Sequence, residues 1–189
     1  MSVIAAHRIT GVAVDHDKRE KDDFYPTPPE GTEALLSVET FDGPIWEPAC
    51  GAGDMARVLE AAGYEVVSTD LVERGYGTPR VDFLMERRAL APNIVTNPPF
   101  KLLEQFTRHA IRLATHKVCL LARIQYLEGV ERRRMFAESP LARVWVFSWR
   151  LAINRDRVRP EGERGGSMAT YAWFVFEHGY TGKPTLGWI

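Results

Sequence analysis

The sequence predicts an α/β protein: an open, mostly parallel sheet with helices on both faces and an antiparallel strand pair at its C-terminal end. Three observations carry this expectation. Short apolar runs of strand length alternate with amphipathic helical patterns between Ile45 and Ile124, and the glycine-rich turn Gly51-Ala52-Gly53 joins the first run to the first of these helices. The segment Tyr171–Glu177 alternates as a half-buried strand does, and no full-length helix separates it from the run before it.

Taken in order, residues 1–22 are polar and charged, end in "DHDKREKDD", and read as a flexible arm; 23–189 read as a single domain. In "YPTPPEGTEALLSV", Thr27 as N-cap, Pro28 at the first helical position and Glu30 as the reciprocal partner make a capping box, predicting a helix over about 28–39. The stretch "GPIWEPACGAGDMARVLEAAGYEVVSTDL" reads as strand, turn, helix and strand, with Met55, Val58, Leu59 and Ala62 on one helical face and Gly63 as the stop. The run "EVVSTD" suits a buried parallel strand ending at Asp70, and "RVDFL" is a weaker third strand. "NIVTNPP" follows as a strand, "KLLEQFTRHAIRLA" as a helix, "KVCLLARI" as a strand, "EGVERRRMFAES" as a short helix and "RVWVFS" as another strand. The chain closes on "MATYAWFVFEHG".

Composition narrows the function classes. The two cysteines, Cys50 and Cys119, cannot build a disulfide framework, and no Cys/His spacing matches a metal site, so no structural metal is expected. No apolar run approaches the length of a membrane span, and "MSVIAAHRITG" lacks the form of a secretory signal, so a cytoplasmic location with no membrane partner is expected. The net charge of −1 hides an asymmetry: residues 1–100 hold 9 Lys+Arg against 17 Asp+Glu, a net −8, and residues 101–189 hold 15 against 8, a net +7. A basic half suits a polyanion. It includes the Arg-rich loop 150–167, with Arg155, Arg157 and Arg159, and solvent-facing charge stays open as the other reading of these residues.

The glycine turn satisfies the short dinucleotide fingerprint from Gly51 to Ala56, with Asp70 placed 17 residues beyond Gly53. The flanking charges argue against a pyrophosphate. Glu47 ends the preceding strand and Asp54 opens the following helix, where an anionic ligand would need free amides. Two carboxylates favour a ligand that joins an adenosine to a positive charge, as S-adenosylmethionine does. Asp70 would accept from its ribose hydroxyls, and Asp82 and Phe83 would meet the edge and face of its adenine. A purely structural role for Asp54 as N-cap and Asp82 as turn residue stays open beside this.

The tetrapeptide Asn97-Pro98-Pro99-Phe100 ends the fourth strand. Its prolines remove two amide donors and stiffen the turn, leaving the Asn97 side-chain oxygen and the Pro98 carbonyl as acceptors suited to an NH2 group, with Phe100 as a flat stacking face.

In this order "EPACGAG", "STDL", "DFL" and "NPPF" resemble the class I S-adenosylmethionine-dependent methyltransferases, and the tetrapeptide resembles the motif of amino methyltransferases acting on adenine N6 in DNA, of the phage and prophage type. The resemblance covers roughly residues 23–178. It implies a Rossmann-like sheet, S-adenosylmethionine as cofactor, and DNA, single- or double-stranded, as partner. It also implies that "DFYPTPPE", through Tyr25, Pro26 and Thr27, cradles the cofactor's methionine end, and that Glu47, Pro48, Ala49, Gly51, Gly53, Asp54, Asp70, Leu71, Asp82 and Phe83 complete its site. Asn97, Pro98, Pro99 and Phe100 would then hold the acceptor base. The chain has no room for a large recognition region, only "RIQYLEGVERRRM" and the Arg-rich loop 150–167, which implies low or very short sequence specificity, with Arg155, Arg157 and Arg159 on the DNA backbone. Other readings are an RNA-adenine or protein-glutamine amino methyltransferase and a non-catalytic nucleic-acid-binding protein. A dinucleotide-dependent oxidoreductase is disfavoured by Glu47 and Asp54.

Overall fold

A computed structural model describes residues 23–153 and 169–189. The flexible arm expected over 1–22 and Arg155, Arg157 and Arg159 lie outside the described residues.

The elements are α1 (Pro29–Leu36), β1 (Ile45–Glu47), α2 (Asp54–Ala61), β2 (Val66–Asp70), β3 (Thr78–Pro79), β4 (Asn93–Thr96), α3 (Leu103–Leu113), β5 (Lys117–Arg123), α4 (Val130–Ala137), β6 (Leu141–Val146), β7 (Tyr171–Glu177) and β8 (Thr185–Trp188). They form one eight-stranded sheet of order β3-β2-β1-β4-β5-β7-β6-β8. β1 to β5 are mutually parallel, β7 runs antiparallel to both β5 and β6, and β8 is parallel to β6. The expected mostly parallel sheet with an antiparallel C-terminal pair is therefore observed.

Two apolar layers cover its faces. On one, Phe106 and Ala110 of α3 and Met135 of α4 pack with Phe174 and Phe176; on the other, Leu35 of α1 and Met55 and Leu59 of α2 pack with Trp173 and Val175. β7 alternates because it feeds both layers, and β5 does the same with Val118 and Leu120 against Cys119 and Leu121. Each fully buried large side chain contributes about 1.5–3 kcal/mol. At the start of β4 the buried Asn93 is satisfied: it donates to the carbonyls of Asp42 (2.7 Å) and Pro44 (3.1 Å) and accepts from the Lys117 amide (3.2 Å). Among the described residues no helix is long and apolar enough to cross a membrane.

Two expectations need correction, and one strand is added. The capping box does not form: Pro28 occupies the N-cap of α1 without a side-chain cap, the helix stops at Leu36, and the Thr27 hydroxyl turns toward β4 instead. The strand expected over "RVDFL" is displaced to Thr78–Pro79. The Asp82 carboxylate accepts from the Leu84 amide (3.0 Å) and winds Phe83–Met85 into a 3-10 turn that buries Phe83 against Trp46 and Phe106. β8 adds a strand that the sequence did not announce, because its Leu186 and Trp188 are exposed and leave no burial pattern. By contrast Gly63 ends α2 as expected, at φ +93°.

The strand order reverses between β1 and β4, which lie side by side while their following helices go to opposite faces. A crevice at the carboxyl ends of these strands is the place where such sheets hold ligands.

Candidate functional site

A cavity of about 350 Å³ opens at that point. The strap from Asp23 to Thr27 forms one wall, Glu47, Pro48, Ala49 and Asp54 the floor around β1 and α2, and Asp70 and Leu71 the end of β2. Asp82, Phe83, Asn97 and Pro99 close the remaining side. Most residues singled out in the sequence thus meet in one space.

Gly51, Gly53, Pro98 and Phe100 do not line it. The two glycines act one step back, at φ +56° and +81°, in the left-handed region. A Cβ at Gly51 would lie 2.3 Å from the Phe24 ring, and one at Gly53 2.4 Å from the Tyr76 ring, so what approaches this turn is two side chains of the same protein. Pro98 is buried off the cavity wall. Phe100 is not an open stacking face: its ring is stacked on Tyr25 (centroids 5.3 Å apart), and the Arg123 guanidinium lies 5.3 Å from its centroid. Phe83 reaches the cavity from a ring that is 2% exposed, so it serves as wall rather than platform.

The floor is acidic. Glu47 is buried, accepts the Ala56 amide, and leaves Oε2 without a partner. Burial pushes its pKa well above the carboxylate range, and Asp54, Asp70 and Glu60 push it further. Asp70 ties β2 to the glycine turn: Oδ2 accepts from Gly51 N (2.8 Å) and Oδ1 from Val72 N (2.7 Å). Each oxygen keeps acceptor capacity toward the cavity. Asp54 is not the N-cap of α2; that position is Gly53, and Asp54 is the first helical residue. Cys50 lines the same floor, and burial, then Glu47 and Asp70, push its thiol up to about 12, so it is not a nucleophile. The Arg74 guanidinium sits 4.2 Å over the Phe24 ring at the rim.

Opposite the acids stands Asn97. Its Nδ2 donates to the Tyr25 carbonyl (3.2 Å) and to Thr27 Oγ1 (3.1 Å). A backbone carbonyl can only accept, so the amide nitrogen is fixed on the strap side and Oδ1 on the other. That oxygen is desolvated and has no partner. A buried acceptor left unmade costs about 1–3 kcal/mol, and the fold keeps two such oxygens, Asn97 Oδ1 and Glu47 Oε2, on side chains that line one cavity. The arrangement can receive a cationic ligand on its acidic floor and an N–H donor at Asn97.

Sequence reasoning missed Phe24, Arg74, Lys101, Leu102 and Phe106 among the lining residues. Phe24 lay within "DFYPTPPE", whereas Arg74 stands in a loop without a motif and Leu102 and Phe106 read only as an apolar helical face.

No protein-family model matches the sequence, and no curated protein does. Solved structures match its fold. The candidate RNA methyltransferase PH1948 of Pyrococcus horikoshii superposes with a TM-score of 0.61 at 15% identity, over 85% of this chain and 91% of that one. Magnesium protoporphyrin IX methyltransferase (ChlM) from Synechocystis PCC 6803, with S-adenosylmethionine bound, gives 0.52 at 14% identity, over 78% and 76%. The M protein of the type I restriction enzyme EcoKI gives 0.55 at 13% identity, over 82% of this chain but 44% of that one, so the chain spans less than half of its length. At these identities the likeness is one of fold: the Rossmann-like fold of S-adenosylmethionine-dependent methyltransferases.

Proposed function

We propose that the chain transfers a methyl group from S-adenosylmethionine to the exocyclic amine of adenine in DNA, with low or very short sequence specificity. The observation that carries this reading is the pairing, in one cavity, of the desolvated and unpartnered Asn97 Oδ1 with an acidic floor that also holds an unpartnered Glu47 oxygen.

The residues present fit that cofactor. When bound, it supplies a methyl carbon made electrophilic by a sulfonium leaving group. Glu47 and Asp54 attract its positive charge, and the free lone pairs of Asp70 accept from ribose hydroxyls. Asp82 and Phe83 border the space for the adenine, and the cavity volume lies within the range typical of small-molecule sites.

On the acceptor side, Asn97 Oδ1 takes a hydrogen bond from the incoming NH2. This draws the amine out of conjugation with its ring and aims its lone pair along the line of transfer. The amine nitrogen would form the new bond to carbon while the carbon–sulfur bond breaks and its electron pair leaves on sulfur as a neutral thioether, and would then release a proton to solvent, so positioning rather than a strong base carries the rate. An adenine in a duplex must leave its stack to reach Asn97. Tyr25, already stacked on Phe100, puts aromatic surface next to that position. Arg155, Arg157 and Arg159 are assigned to the DNA backbone in this reading; replacing all three by Ala should weaken DNA binding and flatten its salt dependence.

The test is incubation of the protein with methyl-labelled cofactor and separate DNA, RNA and cell-protein pools, followed by digestion to nucleosides or amino acids. Label in N6-methyladenine of DNA is expected. Label confined to RNA or to glutamine would overturn the acceptor and keep the transfer; no label with cofactor bound would favour the binding protein.

A further inference from the structure

Arg123, Arg132 and Arg133, none of which pairs with a carboxylate of the described residues, lie along the connection from β5 into α4. β4 ends at Thr96 opposite Leu120, so Arg123, three residues further along β5, emerges level with the Pro98–Pro99 turn. It is exposed, and its guanidinium rests on the Phe100 ring. The chain then passes through a 3-10 turn, Ile124–Leu127, into α4. Only Met135 of that helix is buried. Arg132 lies 5.7 Å over the Tyr126 ring and donates to the Gln125 carbonyl at 3.3 Å, and Arg133 is exposed. The nearby acids do not cancel these charges: Glu131 is engaged by Arg134 (3.1 Å) and Glu104 by Arg108 (2.9 Å), leaving Glu128.

α4 sets Met135 and Phe136 on the core and leaves Arg133 and Arg134 exposed, so its basic side is open to an anionic partner. Guanidinium groups held on aromatic rings lose less freedom when they engage a phosphate than free side chains do. We infer that Arg123, Arg132 and Arg133 form a track for the phosphates of the acceptor DNA strand as it passes the Asn97 side of the cavity. This rests on the reading that the acceptor is DNA. It places a backbone contact on the β5–α4 connection, apart from the loop 150–167.

The test uses the full chain and one adenine-containing oligonucleotide, single-stranded and as duplex, with binding measured across salt concentrations. Arg123→Ala, and Arg132→Ala with Arg133→Ala, should each lower the slope of log affinity against log salt by about one per arginine removed. S-adenosylmethionine affinity should stay unchanged, and Arg123→Lys should retain the slope. A wild-type protein that binds and methylates DNA, with unchanged slopes in both variants, would overturn the track alone. A wild-type protein without DNA affinity that labels protein would overturn the DNA reading, and the track with it.

Discussion

Asn97 owes its orientation to residues 70 and 72 positions away: the Thr27 hydroxyl and the Tyr25 carbonyl hold its NH2, which leaves Oδ1 without a partner. Asn97→Ala should abolish methyl transfer while S-adenosylmethionine still binds, as measured by calorimetry. Thr27→Val removes one holding bond and should lower kcat by roughly tenfold, the worth of about 1.4 kcal/mol, whereas Thr27→Ser should restore it. Glu47 offers a second check. Because its folded pKa is raised, the stability it contributes is present below its ordinary carboxylate range and is lost as pH rises through the raised value. The protein without cofactor should therefore lose Tm over that upper range, and Glu47→Gln should remove this loss. A cation bound beside Glu47 favours its ionised form, so binding should release a proton and tighten as pH rises, which calorimetry in buffers of different ionisation heat would detect. At this scale the sequence was legible where chemistry is written in residue type: Glu47, Asp54, Asp70 and Asn97 all line the cavity. It was not legible for Thr27, where a local capping pattern was available and a long-range hydrogen bond won.

Among the elements, the glycine turn shows how a short motif is fixed by what packs on it. Gly53→Ala would place a methyl 2.4 Å from the Tyr76 ring at a φ of +81°. It should cost about 1–3 kcal/mol in chemical denaturation and weaken cofactor binding, since Tyr76 is also held by Glu60 (2.8 Å). The β-strands that feed both apolar layers, β4, β5 and β7, could be read from their uninterrupted or alternating apolar pattern. β3 and β8 could not. β3 is two residues long and lies beside a turn that Asp82 organises, and β8 exposes its large side chains, so neither carries the burial signal that pattern reading depends on.

The whole molecule is tied together at the end of the sheet opposite the cavity. Glu39, following α1, accepts from Lys117 of β5 (2.8 Å), from Trp145 of β6 (2.9 Å) and from Arg143, which also pairs with Glu177 of β7. Burial works to raise its pKa, but the hydrogen bonds from Arg143, Lys117 and Trp145 outweigh it and leave the carboxyl below its ordinary range. Its contribution is therefore present above that range and lost as pH falls through the lowered value. Glu39→Ala should destabilise by about 2–4 kcal/mol, leaving Lys117 without a carboxylate and Arg143 with Glu177 alone, and should raise the midpoint of acid unfolding without changing which molecule is methylated. The topology also gives the charge asymmetry a place. β3, β2, β1 and β4 all precede residue 100 and β5, β7, β6 and β8 all follow it, so among the strands the seam between the acidic and basic halves runs between β4 and β5, although α1 crosses it to pack on β7. Residues 1–22 hold 4 Lys+Arg and 4 Asp+Glu, so the −8 belongs to 23–100. Strands divided in this way give the sheet an acidic flank and a basic one. Beside a polyanion it feels a torque as well as a pull and swings its β5–β8 flank forward before touching anything, so that orientation is settled during approach and added salt slows arrival more than it hastens departure.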